Sequence, residues 1–595
     1  MIKLSDYIFD FLARNCNCRH IFLLPGGGCM HLLDSLGRNK HFKYVVNLHE
    51  QACAIAADAY AQYTGDIGIA LLTTGPGASN AVTGVAAAWI DSTPLLILSG
   101  QVKTSDLRHR HGVRQMGVQE LDTVALVSPV CKYAKCVTDP QQIKFELQKA
   151  LHMARSGRPG PVWLDLPLDL QAANIDPEQL PDYEPAQQAP QDCRRAAEQI
   201  MKAINQADKP VFYAGNGIRL AKVIPEFRML AEKLHMPVLT SWKAADFLPE
   251  DHPCFVGRPG IIPQRAANII QQSADCLIAL GTRLDLCQTG FRHDNFAPKA
   301  KKYIVDVDDK ELNKLEMPLS GRYALHLAPL LKEMLTLAEK TAPASQAWLA
   351  HCKKLQQRYP VFQESYRRPI SPGISLYHLI EELSKHADPE AIIVPGSSGA
   401  CAEVTLQAFK IKDGQRLLNS PGLGSMGFGL AAAIGVSVAT GSKRRIIGII
   451  GDGGLQHNLQ EMQTWIRLRL PICLFVLNNN GYGSIYQMQK NRFQGNFVAC
   501  HPESGLTLPS LAALSQAYGL PYEKIANTQD LESKLPVLLA ENGPRLCEVM
   551  LCAEQETLPR LTSKMLRDGK MITERMENVY PFLSAEELQN CLEGD

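Results

Sequence analysis

The 595-residue sequence has almost no excess charge of either sign: 61 Lys and Arg stand against 60 Asp and Glu, a formal net charge of +1. That balance supplies no basic stripe for nucleic acid or for an anionic membrane surface. Its 17 cysteines include no Cys-x-x-Cys pair, and the closest two, Cys16 and Cys18, lie too near each other for a zinc knuckle. Scattered and odd in number, these thiols read as reduced and buried, which implies a cytoplasmic protein. A membrane-length apolar run is also missing. The most apolar stretch, Gly427 to Ala439, is short and interrupted by glycine, and reads as a buried helix. Asp6 and Asp10 fall where a secretory signal needs an uncharged apolar run. There is no short-period repeat. What is left is a large globular chain with room for about three domains.

Apolar strands alternate with helical periodicity throughout, the pattern of α/β domains built on doubly wound parallel sheets. The proline-rich stretch Pro181 to Pro190 predicts one boundary. Thr341–Ser345 and Arg367–Gly373, with a helix between them, predict another. The expected division is therefore 1–180, 190–340, 365–560 and a tail over 561–595. The first and third segments are similar in size and style, as duplicated domains would be.

The most informative residues lie in the third segment. Arg445–Ile450 and Ile472–Leu477 read as parallel strands, with helical spacing over Leu459 to Arg469 between them. Such a unit carries Asp452 and the Asn478-Asn479 pair to one edge of a sheet, where open α/β folds bind ligands. A carboxylate and an amide oxygen meeting there suit a hard divalent cation bridging to phosphate. Gly453 and Gly454 let the backbone approach a diphosphate closely. In the first segment, strand Tyr44–Leu48 leads into His49-Glu50-Gln51 and an alanine-rich helix over Ala52 to Ala61. Taken alone, Glu50 is an acid favoured by a helix N-terminus.

The run from Gly451-Asp452-Gly453 to Asn478-Asn479, with Asp452 and Asn479 separated by 27 residues, resembles the thiamine diphosphate (ThDP) signature of acetolactate-synthase-like enzymes. The resemblance implies that Asp452 and Asn479 offer side-chain oxygens and Gly481 a carbonyl to Mg²⁺. It also makes Glu50 the acid facing N1′ of the aminopyrimidine. Further motifs follow in family order. Pro25-Gly26-Gly27-Gly28 resembles the loop whose second glycine, Gly27, lines the reaction centre. Thr73-Thr74-Gly75-Pro76-Gly77-Ala78-Ser79-Asn80 matches the Gly-Pro-Gly-x-x-Asn turn. Gln119 aligns with a glutamine reaching toward the cofactor, and Gly422–Gly427 with the loop in which Gly424 and Met426 hold ThDP bent. Ser398 stands in Ser397–Cys401, which replaces the usual Gly-Gln-His-Gln diphosphate segment; its hydroxyls and N–H groups could still hold phosphate.

The middle segment resembles flavin-binding relatives at Gly215-Asn216-Gly217, at Gly281, Arg283 and Asp306, and through Arg158 of the first segment, implying a structural FAD. Cys287 departs from that pattern by standing where relatives carry arginine, so a glycine-built scaffold without flavin stays open. For substrate, Met488 replaces the tryptophan that favours 2-ketobutyrate. The basic loop over Arg108–Arg114 reads either as a solvated face or as an anion clamp, through Arg110 and Arg114, for a phosphorylated acceptor. The tail beginning at Leu558-Pro559-Arg560-Leu561 and passing Asp568-Gly569 resembles relatives that build branched-chain deoxysugars of the yersiniose type.

The family likeness thus implies decarboxylation of pyruvate and transfer of the two-carbon unit to a second carbonyl substrate, either pyruvate or a nucleotide-linked ketosugar. It further implies a homodimer or homotetramer with the site between subunits. An oxidase, a simple decarboxylase or an inactive binding subunit remain as alternatives.

Overall fold

The computed structural model describes residues 1–186, 191–340, 342–368, 373–552, 554–565 and 571–593. Positions 187–190, 341 and 369–372 of the expected linkers, and Asp568-Gly569, lie outside the described residues. Among the described residues the chain builds three six-stranded parallel sheets flanked by helices, the expected fold class.

The first sheet holds β1 (His20–Leu23), β2 (Lys43–Val46), β3 (Gly68–Leu72), β4 (Leu95–Gln101), β5 (Tyr133–Cys136) and β6 (Pro161–Pro167). Their order is β2-β1-β3-β4-β6-β5. The central sheet holds β7 (Pro210–Ala214), β8 (Val238–Thr240), β9 (Phe255–Gly257), β10 (Cys276–Leu280), β11 (Lys301–Asp306) and β12 (Gly321–Ala324). They run β9-β8-β7-β10-β11-β12, the order of dinucleotide-binding sheets, whose crevice opens where the order reverses between β7 and β10. The third holds β13 (Ile392–Pro395), β14 (Arg416–Leu417), β15 (Ile446–Gly451), β16 (Ile472–Asn478), β17 (Tyr522–Ile525) and β18 (Arg545–Met550). Its order, β14-β13-β15-β16-β18-β17, repeats that of the first sheet.

These strands form because their sequences are continuous β-branched and aliphatic runs, as sheets covered on both faces require. Ile446-Ile447-Gly448-Ile449-Ile450 is wholly buried. Register then sets the sites. Gly451 pairs with Leu477, so Asp452 and Asn479 leave neighbouring strands at one edge. In the first sheet Leu23 lies between Val46 and Leu71, so the loops after β1, β2 and β3 emerge together. Strand β2 ends at Val46, two residues earlier than its sequence suggests, because Leu48 is already exposed.

Helices α1 (Glu50–Thr64), α2 (Pro76–Asp91) and α3 (Phe428–Ala439) join the outer domains. A Cβ on Gly435 of α3 would collide with the Ala56 carbonyl of α1, and one on Gly84 of α2 would lie 2.6 Å from the Ala54 methyl. The small residues along these helices therefore allow backbone-to-backbone packing, and one hydrophobic core runs through both outer domains. The central sheet has separate cores on its two faces. Beyond residue 560 the chain returns to the central domain. Met576 and Cys591, the latter on α4 (Ala585–Glu593), enter its core, and Asn268 Nδ2 donates to the Met576 carbonyl at 2.8 Å.

Candidate active site

Three loops of the first domain converge on Glu50, which opens α1 and is 7% exposed. His49 caps the helix, its Nδ1 accepting from Gln51 N at 3.1 Å. Glu50 Oε2 accepts from Asn80 Nδ2 at 3.0 Å. Gly28 N donates to Thr73 Oγ1 at 3.2 Å, tying the Gly26–Gly28 loop to the turn after β3. A Cβ on Gly26 would lie 2.5 Å from Thr73, whereas one on Gly27 would meet open space. Gly27 thus fronts the space that its neighbours wall. Gly75 has φ +59°, and a Cβ there would collide with the Gln119 carbonyl. This contact seats Gln119, itself left-handed at φ +60°, over the turn.

The third domain contributes the other half. Asp452 is 4% exposed; its Oδ1 accepts from Gly453 N at 2.8 Å and its Oδ2 from Gly481 N at 3.1 Å. Burial pushes its carboxyl up to about 6, against the pull of those N–H groups. Beside it the buried Asn479 Oδ1 has no hydrogen-bond partner. An orphaned amide oxygen next to a desolvated carboxylate fits a hard cation, with phosphate and water oxygens completing the shell. Gly483 permits this amide position, since a Cβ there would collide with Asn479 Nδ2, and Gly453 makes room for the Tyr482 ring.

Two glycine-rich loops face this centre. Gly399, at φ +72°, opens the helix Ala400–Ala408, and Ser397 and Ser398 lie just before that N-terminus. Ser397 Oγ donates to the Ser425 carbonyl, latching this loop to Gly424–Met426. Gly424 has φ +68°, and Gly454 O accepts from Gly427 N at 3.1 Å. Met426 is 38% exposed, as are Ile485 (41%) and Met488 (38%) on the helix Gly483–Arg492, which has no buried residue.

The first and third domains also touch within one chain. Gln51 Nε2 lies 3.5 Å from the Met426 carbonyl. Glu461, fully buried, accepts from Asn47 Nδ2 at 2.9 Å and from Leu48 N at 2.8 Å, bracing the turn that delivers Glu50. Sequence reasoning missed Glu461, for which the available signal was an acid on the buried face of a helix; Asn80, singled out by its turn motif, is the residue that holds Glu50.

The flavin-motif residues are also brought together. Arg158, Asn216, Gly217, Gly281, Arg283 and Asp306 line a cavity of about 550 Å³ at the β7/β10 reversal, a size suited to a cofactor. The glycines also have a packing role. Cβ atoms on Gly215 and Gly217 would collide with or crowd Gly281 and Thr282, so the two loops need glycine to pack on each other. Arg158 is occupied by Glu311 and, at 3.3 Å, Asp308. Burial raises the carboxyl of Asp306. The basic loop is organised by Glu120, which accepts from Met116 N at 2.9 Å, Gly117 N at 3.1 Å and Arg108 N. Arg110 and Arg114 are exposed, and among the described residues neither has a partner.

Comparison with known proteins matches residues 2–126 to the thiamine pyrophosphate enzyme N-terminal TPP binding domain, 197–330 to the central domain and 397–549 to the C-terminal TPP binding domain. The acetolactate synthase isozyme 1 large subunit of Escherichia coli K12 is 32% identical over 556 residues, covering 93% of this chain and 95% of that one. The probable acetolactate synthase large subunit of Methanocaldococcus jannaschii is 32% identical over 545 residues, 89% of each. The acetolactate synthase large subunit of Corynebacterium glutamicum is 33% identical over 524 residues, 87% of this chain and 81% of that one.

Proposed function

Because the chain belongs to the thiamine pyrophosphate enzyme family, alongside acetolactate synthase large subunits, we propose that it decarboxylates pyruvate and joins the two-carbon unit to an acceptor carbonyl. The observation that carries this reading is the unpartnered Asn479 oxygen beside Asp452; the braced Glu50 supplies the acid, from this chain or its second copy. When bound, ThDP supplies the electron sink for loss of CO₂. Asp452, Asn479 and the Gly481 carbonyl hold its Mg²⁺, while Ser398, Gly453 and Gly454 border the diphosphate. Glu50, kept in place by Asn80, shares a proton with N1′ of the aminopyrimidine. Met426, Ile485 and Met488 exclude water from the reacting carbon, which favours carbon-carbon bond formation over protonation. Gln119 and Gly27 face the substrate.

The working unit on this reading is a homodimer or homotetramer in the cytoplasm. Exposed apolar side chains around the site, such as Val118 (85%), Met116 (54%) and Leu48 (45%), support a second copy covering them. FAD in the central cavity has a structural role here. The free Arg110 and Arg114 on the loop carrying Gln119 favour a second acceptor reading, a nucleotide-linked ketosugar whose phosphates they clamp.

The test is pyruvate turnover with ThDP and Mg²⁺, alone and with such a sugar, followed by mass spectrometry. Acetolactate or an acetyl-branched sugar is expected. Free acetaldehyde or peroxide would instead mark a decarboxylase or oxidase, and bound ThDP without turnover an inactive binding subunit. A flavin spectrum of the purified protein and its mass in solution test the remaining parts.

A further inference from the structure

A second cavity, of about 640 Å³, lies where all three domains meet; it adjoins the first, sharing Asn216, Leu220 and Lys243 with it, and its cations lie outside the flavin-resembling motifs. Six cations line it: Arg14 and Arg155 from the first domain, Arg219, Lys222 and Lys243 from the central one, and Arg416 from the third. Three carboxylates answer them. Asp66 takes Arg155 at 2.8 Å, Asp91 lies 3.6 Å from Lys243, and the buried Asp246 is shared by Arg219 and Arg416. Some of this charge has structural work: Arg155 donates to the Asn15 carbonyl at 3.1 Å, and Arg416 to that of Gln62 at 3.2 Å. The remainder stands at the exposed rim: among the described residues Arg14 donates only to the Asp10 carbonyl, at 3.0 Å, and the Lys222 ammonium has no partner, so both are available to a ligand. Two partly exposed guanidiniums on one buried carboxylate leave a net positive charge in a poorly solvated position, which favours an anion joining them. Burial and the Arg416 charge depress Arg219 to about 10, with Asp246 opposing them. On the same wall the buried Asn419 Oδ1 lacks a donor.

We propose that this cavity binds an organic polyphosphate of nucleoside di- or triphosphate size, its phosphates on Arg14, Arg219, Lys222 and Arg416 and a hydroxyl or amino group donating to Asn419. Guanidinium forks match phosphate oxygens, and the volume is that of a small-molecule site. Its position ties occupancy to the active centre. Gln62, at the far end of α1, lies about 18 Å along the helix from Glu50, and Asn419 is on the segment leading to Met426.

The experiment is calorimetry of the ThDP- and Mg²⁺-saturated enzyme with ATP, ADP and inorganic triphosphate. ATP or ADP should bind, and Arg14→Glu with Lys222→Glu should weaken that binding at least about 10-fold, while pyruvate turnover without nucleotide is unchanged. Inorganic triphosphate, which has no donor for Asn419, should bind about 10-fold more weakly, the worth of one hydrogen bond; equal affinity overturns the organic half of the assignment. Binding of no nucleotide at millimolar concentration overturns the whole. So does binding that survives the double variant but disappears with Arg283→Glu in the neighbouring cavity.

Discussion

The outer two sheets and the central one solve different problems with the same materials. The outer sheets share one strand order and the hydrophobic core between them, the third sheet having a further core on its other face, and their loops are braced across the seam by Glu461 and by the α1–α3 contact. The central sheet has the other order, separate cores and a cavity at its own reversal point. Different residues at the strand ends give the outer pair unlike halves: an acid after β2 of the first sheet, and a carboxylate and an amide after β15 and β16 of the third. A site of that kind exists only when the two domains face each other, whereas the central cavity is built largely from one sheet's own switch point.

The sharpest way to probe the pair is Glu50→Gln. Turnover is expected to fall by about 10² to 10⁴-fold while calorimetry still finds ThDP bound; wild-type rates would remove the assigned acid. Gly435→Val attacks the seam itself. Overpacking against the Ala56 carbonyl should cost about 1–3 kcal/mol, lowering the melting temperature and turnover together. Gly281→Val makes the converse test, since a β-branched residue at φ +59° between the two glycine loops costs about 1–3 kcal/mol. Flavin absorbance should be lost and ThDP affinity largely kept. Equal loss of both would mean the centre and the pair do not act separately.

The smallest effect concerns pH. Asp165, buried with Ser99 Oγ at 2.6 Å and Gln101 Nε2 at 2.8 Å, is pushed up to about 7 by desolvation. Unfolded, it loses its proton near pH 4. The folded state therefore binds the extra proton, and stability from this group is full below about pH 4 and declines as pH rises to about 7. Asp165→Asn should flatten that stretch of the melting profile; an unchanged slope would assign it to other groups.

Much of the outer pair can be read from the sequence because its determinants are local. Asp452 and Glu50 each stand a few residues from a continuous apolar strand, and the glycines beside them mark backbone that must turn or approach a ligand. The parts that escape it are pairings. Glu461 meets Asn47 across 414 positions, and nothing in either neighbourhood announces the other. The packing of the central glycines escapes the sequence for a related reason: Gly215 and Gly217 read as a turn for phosphate approach, and nothing nearby announces that a second glycine loop some sixty residues away packs on them. Likewise the segment after residue 560 is set apart in the sequence as a tail, and only its burial of Met576 and Cys591 reveals where it belongs.

That return has a consequence for synthesis. As the chain leaves the ribosome, domains condense in order from the N-terminus, but one face of the central sheet lacks Met576 and Cys591 until the residues carrying them have been translated. The middle of this protein is therefore the last part to mature.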